Sequence, residues 1–246
     1  MTDMSDSTVL VTGASGGIGR AIAAAFRQAS AEVEVTSRSG VVDGYPEAIA
    51  MELESPASVT RAVQEATQRR GGLDTLVLNA VRWPTGRADR FEDLAPAEWQ
   101  PVLRANVEGA FAAVQAALPA LRASHAGRIV LVSSGAAEEG HPPSPHYVTA
   151  KAALHGLGRA LAWDAGRDGV LVNVVAVGFT RTATNAERFG DDLFARAGAL
   201  TPQRRVSTAE DVARVVLWLG SPANTSVTGE VIREGTSAAR TPLVAI

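Results

Sequence analysis

The chain has 246 residues, 46% of them hydrophobic, so it can bury one sizeable core. Its formal net charge of −3 gives no reason to expect nucleic acid or an anionic membrane as partner, and the absence of cysteine excludes disulfides, thiolate metal sites and thiol redox regulation. Met1–Ser7 is polar and acidic rather than leader-like, and no run approaches the ~18 apolar residues of a membrane span, so a soluble cytoplasmic protein is expected.

Taken in order, apolar β-like runs alternate with helical patterns. Strands are expected at Thr8–Thr12, Glu32–Ser37, Ala48–Leu53, Thr75–Asn79, Arg128–Ser133, Leu171–Ala176 and Glu230–Ile232. Helices are expected at Gly17–Ala29, Ser58–Arg70, Pro101–Ser124, His146–Asp168 and Thr208–Leu219. Gly40, Gly44 and Pro46 leave little room for a full helix between the second and third strands. Residues 183–205 carry charges with Phe189 and Phe194, show no clear strand, and read as a surface helix pair. The alternation predicts an α/β fold, a doubly wound parallel sheet with helices on both faces. No repeat, charge block or linker divides residues 1–246, so one domain is expected.

Two local patterns carry chemistry. Thr12-Gly13-Ala14-Ser15-Gly16-Gly17-Ile18-Gly19 joins the first strand to the first helix, the context a dinucleotide fingerprint needs. Glycines there permit a tight turn and let backbone approach a pyrophosphate at the free amides of a helix start. Arg20 follows Gly19 and no Gly-Lys-Ser/Thr occurs, which disfavours an NTPase loop. The second pattern is Tyr147-Val-Thr-Ala-Lys151, one helical turn apart, with Ser134 thirteen positions upstream of the tyrosine. A lysine beside a phenol favours the phenolate, so Tyr147 is a candidate proton donor and acceptor, and Ser134 a candidate donor to a substrate oxygen.

Together these motifs resemble the short-chain dehydrogenase/reductase (SDR) family, and the resemblance runs over nearly the whole chain. Thr12–Gly19 is similar to its Thr-Gly-x-x-x-Gly-x-Gly cofactor motif, Asn106 to its helix asparagine, and Ser134, Tyr147 and Lys151 to its catalytic serine, tyrosine and lysine. Thr228-Gly229-Glu230-Val231-Ile232 is similar to the entry into its last strand. The resemblance implies a hydride-transferring oxidoreductase, ketoreductase-like, acting on a small carbonyl or alcohol, with Asn106, Ser134, Tyr147 and Lys151 catalytic. It implies nicotinamide cofactor contacts from Gly13, Ser15, Gly17, Ile18, Gly19, Ser37, Arg38, Glu52, Leu53, Asn79, Ala80, Tyr147, Lys151, Gly178, Thr180 and Thr182, with no metal. Lys151 would hold the nicotinamide ribose, Asn106 would fix a helix distortion and a proton-relaying water, and residues 183–205 would cover the substrate. Relatives commonly form tetramers or dimers through alanine-rich helices such as Pro101–Ser124 and His146–Asp168, and a homo-oligomer is expected.

Ser37 stands where an acidic residue would accept the ribose 2′-hydroxyl, and Arg38 follows it. A guanidinium pairs well with a phosphate, so NADP(H) is favoured over NAD(H). Gly16 stands where many NADP-preferring relatives carry a second basic residue. Other departures from the family pattern are Val81 for a glycine beside the cofactor, Val177-Gly178 for Pro-Gly, and Glu52 for an aspartate at the adenine. An NAD-dependent alcohol or dihydrodiol dehydrogenase, or a non-catalytic nucleotide-binding subunit, are the alternative readings. Ser133 reads as structural, and His141 and His146 as loop residues flanking the site. Trp83, Phe179 and Phe189 hint at an apolar or aromatic pocket.

Overall fold

In the computed structural model, which describes residues 3–85, 90–141 and 143–235, strands and helices alternate along the chain. Strand β1 (Thr8–Val11) leads through the glycine turn into α1 (Gly17–Gln28), and β2 (Glu32–Ser37), β3 (Ile49–Ala50), α2 (Pro56–Arg70) and β4 (Thr75–Leu78) follow. Helix α3 (Pro96–Leu103) passes through a π-helical turn, Arg104–Glu108, into α4 (Gly109–Ala123). Next come β5 (Arg128–Ser134), the single turn α5 (Ala136–Glu139), α6 (Pro145–Ala165) and β6 (Leu171–Val177). The described chain closes with β7 (Thr180–Arg181), α7 (Ala183–Ala199), β8 (Ser207–Thr208), α8 (Ala209–Leu219) and β9 (Val231–Glu234).

Among the described residues, seven strands form one parallel sheet in the order β3-β2-β1-β4-β5-β6-β9. Successive side chains point to opposite faces, so each strand feeds two cores. Val9, Val11, Val130, Val132 and Val175 pack under α1 and α8, whereas Leu10, Ile129, Leu131, Val172 and Val174 pack under α2, α4 and α6. Strand order changes direction between β1 and β4, so a crevice opens at their carboxyl ends, where ligands of such sheets bind.

The expected α/β architecture is the observed one, with shifts that have local causes. Strand β3 spans two residues rather than Ala48–Leu53, because only Thr36 and Ser37 of β2 pair with it before the chain turns. Helix α2 starts two residues before Ser58: Ser55 Oγ accepts from Ser58 N at 3.3 Å, and Pro56 suits a first turn that needs no N–H. The helix expected from Pro101 starts instead at Pro96, which takes that same first-turn place, and Pro101 lies within it. Val177 prolongs β6 beyond Ala176, in register with Ser134 on one side and Glu234 on the other, and β9 lengthens with it. A proline at Val177 would have no N–H to give this ladder. Residues 183–205 hold α7, whose helix breaks at Gly190 (φ 72°), and no strand.

Candidate active site

Hydrogen bonds tie the glycine turn across the crevice. Thr12 Oγ1 accepts from the N–H groups of Asn79 and Ala80, both at 3.0 Å, and donates to Val77 O at 3.2 Å. Asn79 Nδ2 donates back to Thr12 O and Gly13 O, at 3.0 and 3.1 Å. Within this frame only glycine fits at two positions. Gly13 has φ 71°, and a Cβ there would lie 2.6 Å from Ala80 Cα; at Gly19 it would lie 2.3 Å from Gly13 O.

Helix α1 begins with no side chain capping its first amides and no acidic residue in its first turn. Free N–H groups at the positive end of a helix dipole, above a glycine floor and beside exposed Ser15, suit a pyrophosphate. These residues therefore fit the dinucleotide that the motif implies. Opposite them, Thr182 packs on Gly17, where a Cβ would lie 2.9 Å from the Thr182 Cβ. Thr182 also caps α7, its Oγ1 accepting from Asn185 N at 3.2 Å. Gly178 N donates to Glu234 O at 2.9 Å and Thr180 Oγ1 donates to Gly178 O at 3.0 Å, which holds this wall. Ile18 and Leu53 are half-buried against the cores, while Arg38 and Glu52 are exposed and hydrogen-bonded to none of these groups.

The second half of the site lies where β5 ends against α6. Lys151 Nζ donates to Val132 O at 2.8 Å. Ser133 Oγ donates to Lys151 O at 2.9 Å, and His155 Nε2 lies 2.9 Å from the same hydroxyl. A serine hydroxyl has one proton, so His155 donates to it through Nε2. Ser134, next in line, hydrogen-bonds the Tyr147 hydroxyl. Three consecutive strand residues thus grip one face of the helix, and i, i+4 spacing places Tyr147, Lys151 and His155 on that face.

Burial governs the proton affinities here. Tyr147 is pushed up to about 12 by desolvation, partly offset by the Ser134 hydrogen bond. Lys151 is pulled down to about 8 by desolvation. The expectation that Lys151 lowers the Tyr147 pKa is therefore corrected for this structure: the amine is turned onto Val132 O, and loss of water outweighs it. His146, fully buried at the start of α6 with neither ring nitrogen hydrogen-bonded, is pulled down by burial and is a core residue.

Asn106 lies in the π-helical turn. Its Nδ2 donates to Val102 O at 3.0 Å and Arg82 O at 2.9 Å, and its Oδ1 accepts from Arg82 N at 3.1 Å. A cavity of about 20 Å³ separates it from Lys151 and Thr12, room for about one water. Among the described residues no cluster of metal-ligating side chains occurs, and no helix is long and apolar enough to cross a membrane.

A family model described as enoyl-(acyl carrier protein) reductase matches residues 13–233. The chain is 34% identical to a 3-oxoacyl-(acyl-carrier-protein) reductase of Aquifex aeolicus, over 91% of its own length and 93% of the relative's. It is 35% identical to versicolorin reductase of Emericella nidulans, over 91% and 92%. A solved structure described as a short chain dehydrogenase/reductase family protein superposes with a TM-score of 0.80 at 32% identity, covering 95% of this chain and 97% of that one. The chain belongs to the short-chain dehydrogenase/reductase family. It is an oxidoreductase of that family, with reductases among its named relatives.

Sequence reasoning missed two residues of this candidate site: Arg82, which Asn106 clamps, and His155, which supports Ser133. Trp83, read in the sequence only as a hint of an aromatic pocket, lies against Tyr147. His155 had a readable signal, one helical turn beyond Lys151; Arg82 sits on a loop without periodicity.

The Lys151 shift has a consequence for stability. Its folded pKa lies below the ordinary 10.5, so between about 8 and 10.5 the unfolded chain binds more protons and stability rises with pH. Lys151→Met should raise the thermal midpoint at neutral pH, with the gap to wild type closing as pH climbs through that window. Circular dichroism melts across the range check this, and a gap independent of pH would contradict it.

Proposed function

We propose that the protein is an NADP(H)-dependent reductase of ketones, with Tyr147 as its general acid. The observation that carries this reading is a buried, protonated phenol hydrogen-bonded to Ser134 beside a glycine cradle. When bound, the cofactor supplies the hydride. Ser134 donates a hydrogen bond to the substrate carbonyl oxygen and polarises it. Tyr147 delivers its proton to that oxygen as negative charge develops, and removes it again in the alcohol-oxidising direction. Lys151 holds the nicotinamide ribose hydroxyls, and Asn106 with a water in the small cavity replenishes the proton. Gly13, Ser15, Gly17, Ile18 and Gly19 hold the pyrophosphate, Leu53 and Glu52 the adenine, Asn79 and Ala80 its ribose, and Gly178, Thr180 and Thr182 the carboxamide side.

The NADP preference is supported by Ser37 and Arg38. Ser37 is buried at the end of β2, its Oγ donating to Val41 O at 3.1 Å, so no carboxylate repels a 2′-phosphate there. Arg38 is exposed and no acidic side chain pairs with it among the described residues. Reading the protein as one domain is supported by its single seven-stranded sheet among the described residues, and reading it as a homo-oligomer by Phe111 on α4 and Trp163 on α6, which are 56% and 83% exposed.

Tyr147→Phe should keep the fold and NADPH binding while slowing ketone reduction by roughly 10²–10⁴-fold; near-normal turnover would overturn the mechanism. Arg38→Ala should weaken NADPH binding by roughly ten- to a hundredfold, the value of one charge-assisted contact, and leave NADH nearly unaffected. Fluorescence titration with both cofactors measures the ratio, and a wild type that prefers NADH would overturn the assignment. Light scattering at micromolar concentration should show a dimer or tetramer, and a monomer contradicts the assembly.

A further inference from the structure

Trp83 sits on the loop after β4 and lays its indole over the Tyr147 ring, centroids 4.7 Å apart and planes inclined by 19°. Tyr147 is only 8% exposed, whereas Trp83 is 62% exposed. One part of the indole therefore shields the phenol from water, and the remainder faces solvent beside the reacting group. Its backbone is held in place from the preceding residue. Asn106 brackets Arg82 with two hydrogen bonds, and the Arg82 guanidinium is paired with Glu54. Across the site, Phe179 follows Gly178 and stacks on Phe194 at 4.9 Å, with Phe189 edge-on at 5.9 Å. The loops after β4 and β6 thus both present aromatic rings.

A phenol hydroxyl lies in the plane of its ring, so a carbonyl reaching Tyr147 arrives at the ring's edge while the indole holds its face. The exposed part of Trp83 is then an open apolar surface beside such a carbonyl's substituent. A flat π system stacks on it with quadrupole complementarity that a puckered saturated ring lacks. We propose that Trp83 is a specificity-determining platform and that the substrates are aryl ketones, flat beside the carbonyl, rather than flexible aliphatic ones. The proposal rests on the reading of Tyr147 as proton donor to a ketone.

The test compares phenyl methyl ketone with cyclohexyl methyl ketone, which share a carbon framework and differ in flatness. With NADPH, kcat/KM for each is measured in wild type, Trp83→Phe, Trp83→Leu and Trp83→Ala. Dividing the aryl-to-cyclohexyl ratio of wild type by that of each variant cancels the intrinsic reactivity of the two ketones. The expected quotient is about 3- to 10-fold for Trp83→Leu and Trp83→Ala, and near one for Trp83→Phe. Trp83→Leu keeps apolar bulk over Tyr147, so a lost ratio there reads loss of the ring and not loss of fold. Turnover of both ketones with quotients near one in all variants overturns the platform while leaving the ketone-reductase reading intact. Turnover of neither ketone by wild type overturns that reading, and the platform with it.

Discussion

The grip of the β5 terminus on α6 is the constraint from which the rest of the site follows. Val132 O, Ser133 Oγ and Ser134 Oγ engage the Lys151 amine, the Lys151 carbonyl and the Tyr147 hydroxyl respectively. A strand alternates its side chains and a helix repeats them every turn, so a serine pair on the one meets a tyrosine–lysine pair on the other in few registers. The sheet supplies rigidity, since β5 is paired along its whole length with β6. The glycine turn is placed independently, through Thr12 and Asn79, from the adjoining strands β1 and β4. Two rigid halves therefore meet over one crevice, and neither relies on the long loops for its geometry.

Burying this junction gives it chemical character. Removing water raises the phenol and lowers the amine, so Tyr147 is held as the protonated acid and Lys151 titrates much nearer neutrality. A protonated phenol is the form that the proposed carbonyl reduction consumes; the Ser134 hydrogen bond partly offsets the upward shift, and Ser134 would be the second donor to the same substrate oxygen. The cost is a buried amine whose main compensation is one backbone carbonyl. Trp83 belongs to the same economy of water, because its indole covers the ring face that strand and helix leave open.

The parallel sheet and the candidate site were legible because each rests on a short-range pattern. Apolar runs bounded by turns marked the strands, Thr12–Gly19 marked the nucleotide turn, and Tyr147 with Lys151 shared a helix face. Element ends were less legible. The helix expected from Pro101 begins at Pro96, where α3 packs on α6, a contact that the local pattern does not show. Val177 lay one residue past the expected strand end, yet it is a strand residue, because pairing with Ser134 and Glu234 depends on two other strands. The direction of the Tyr147 shift was misread for the same reason: adjacency of Lys151 shows in sequence, whereas burial and the pull of Val132 O do not. Trp83 offered aromatic character alone, and its stacking partner is set by a loop held through Asn106.

The claim that burial keeps Tyr147 protonated can be measured directly, since the chain has two tyrosines, Tyr45 and Tyr147. In Tyr45→Phe, phenolate ultraviolet absorbance reports Tyr147 alone. Titrated while circular dichroism shows the fold intact, the protein should remain mostly phenol at pH 10, the ordinary tyrosine value, consistent with a pKa of about 12. Half or more phenolate at that pH in the folded protein would contradict the account.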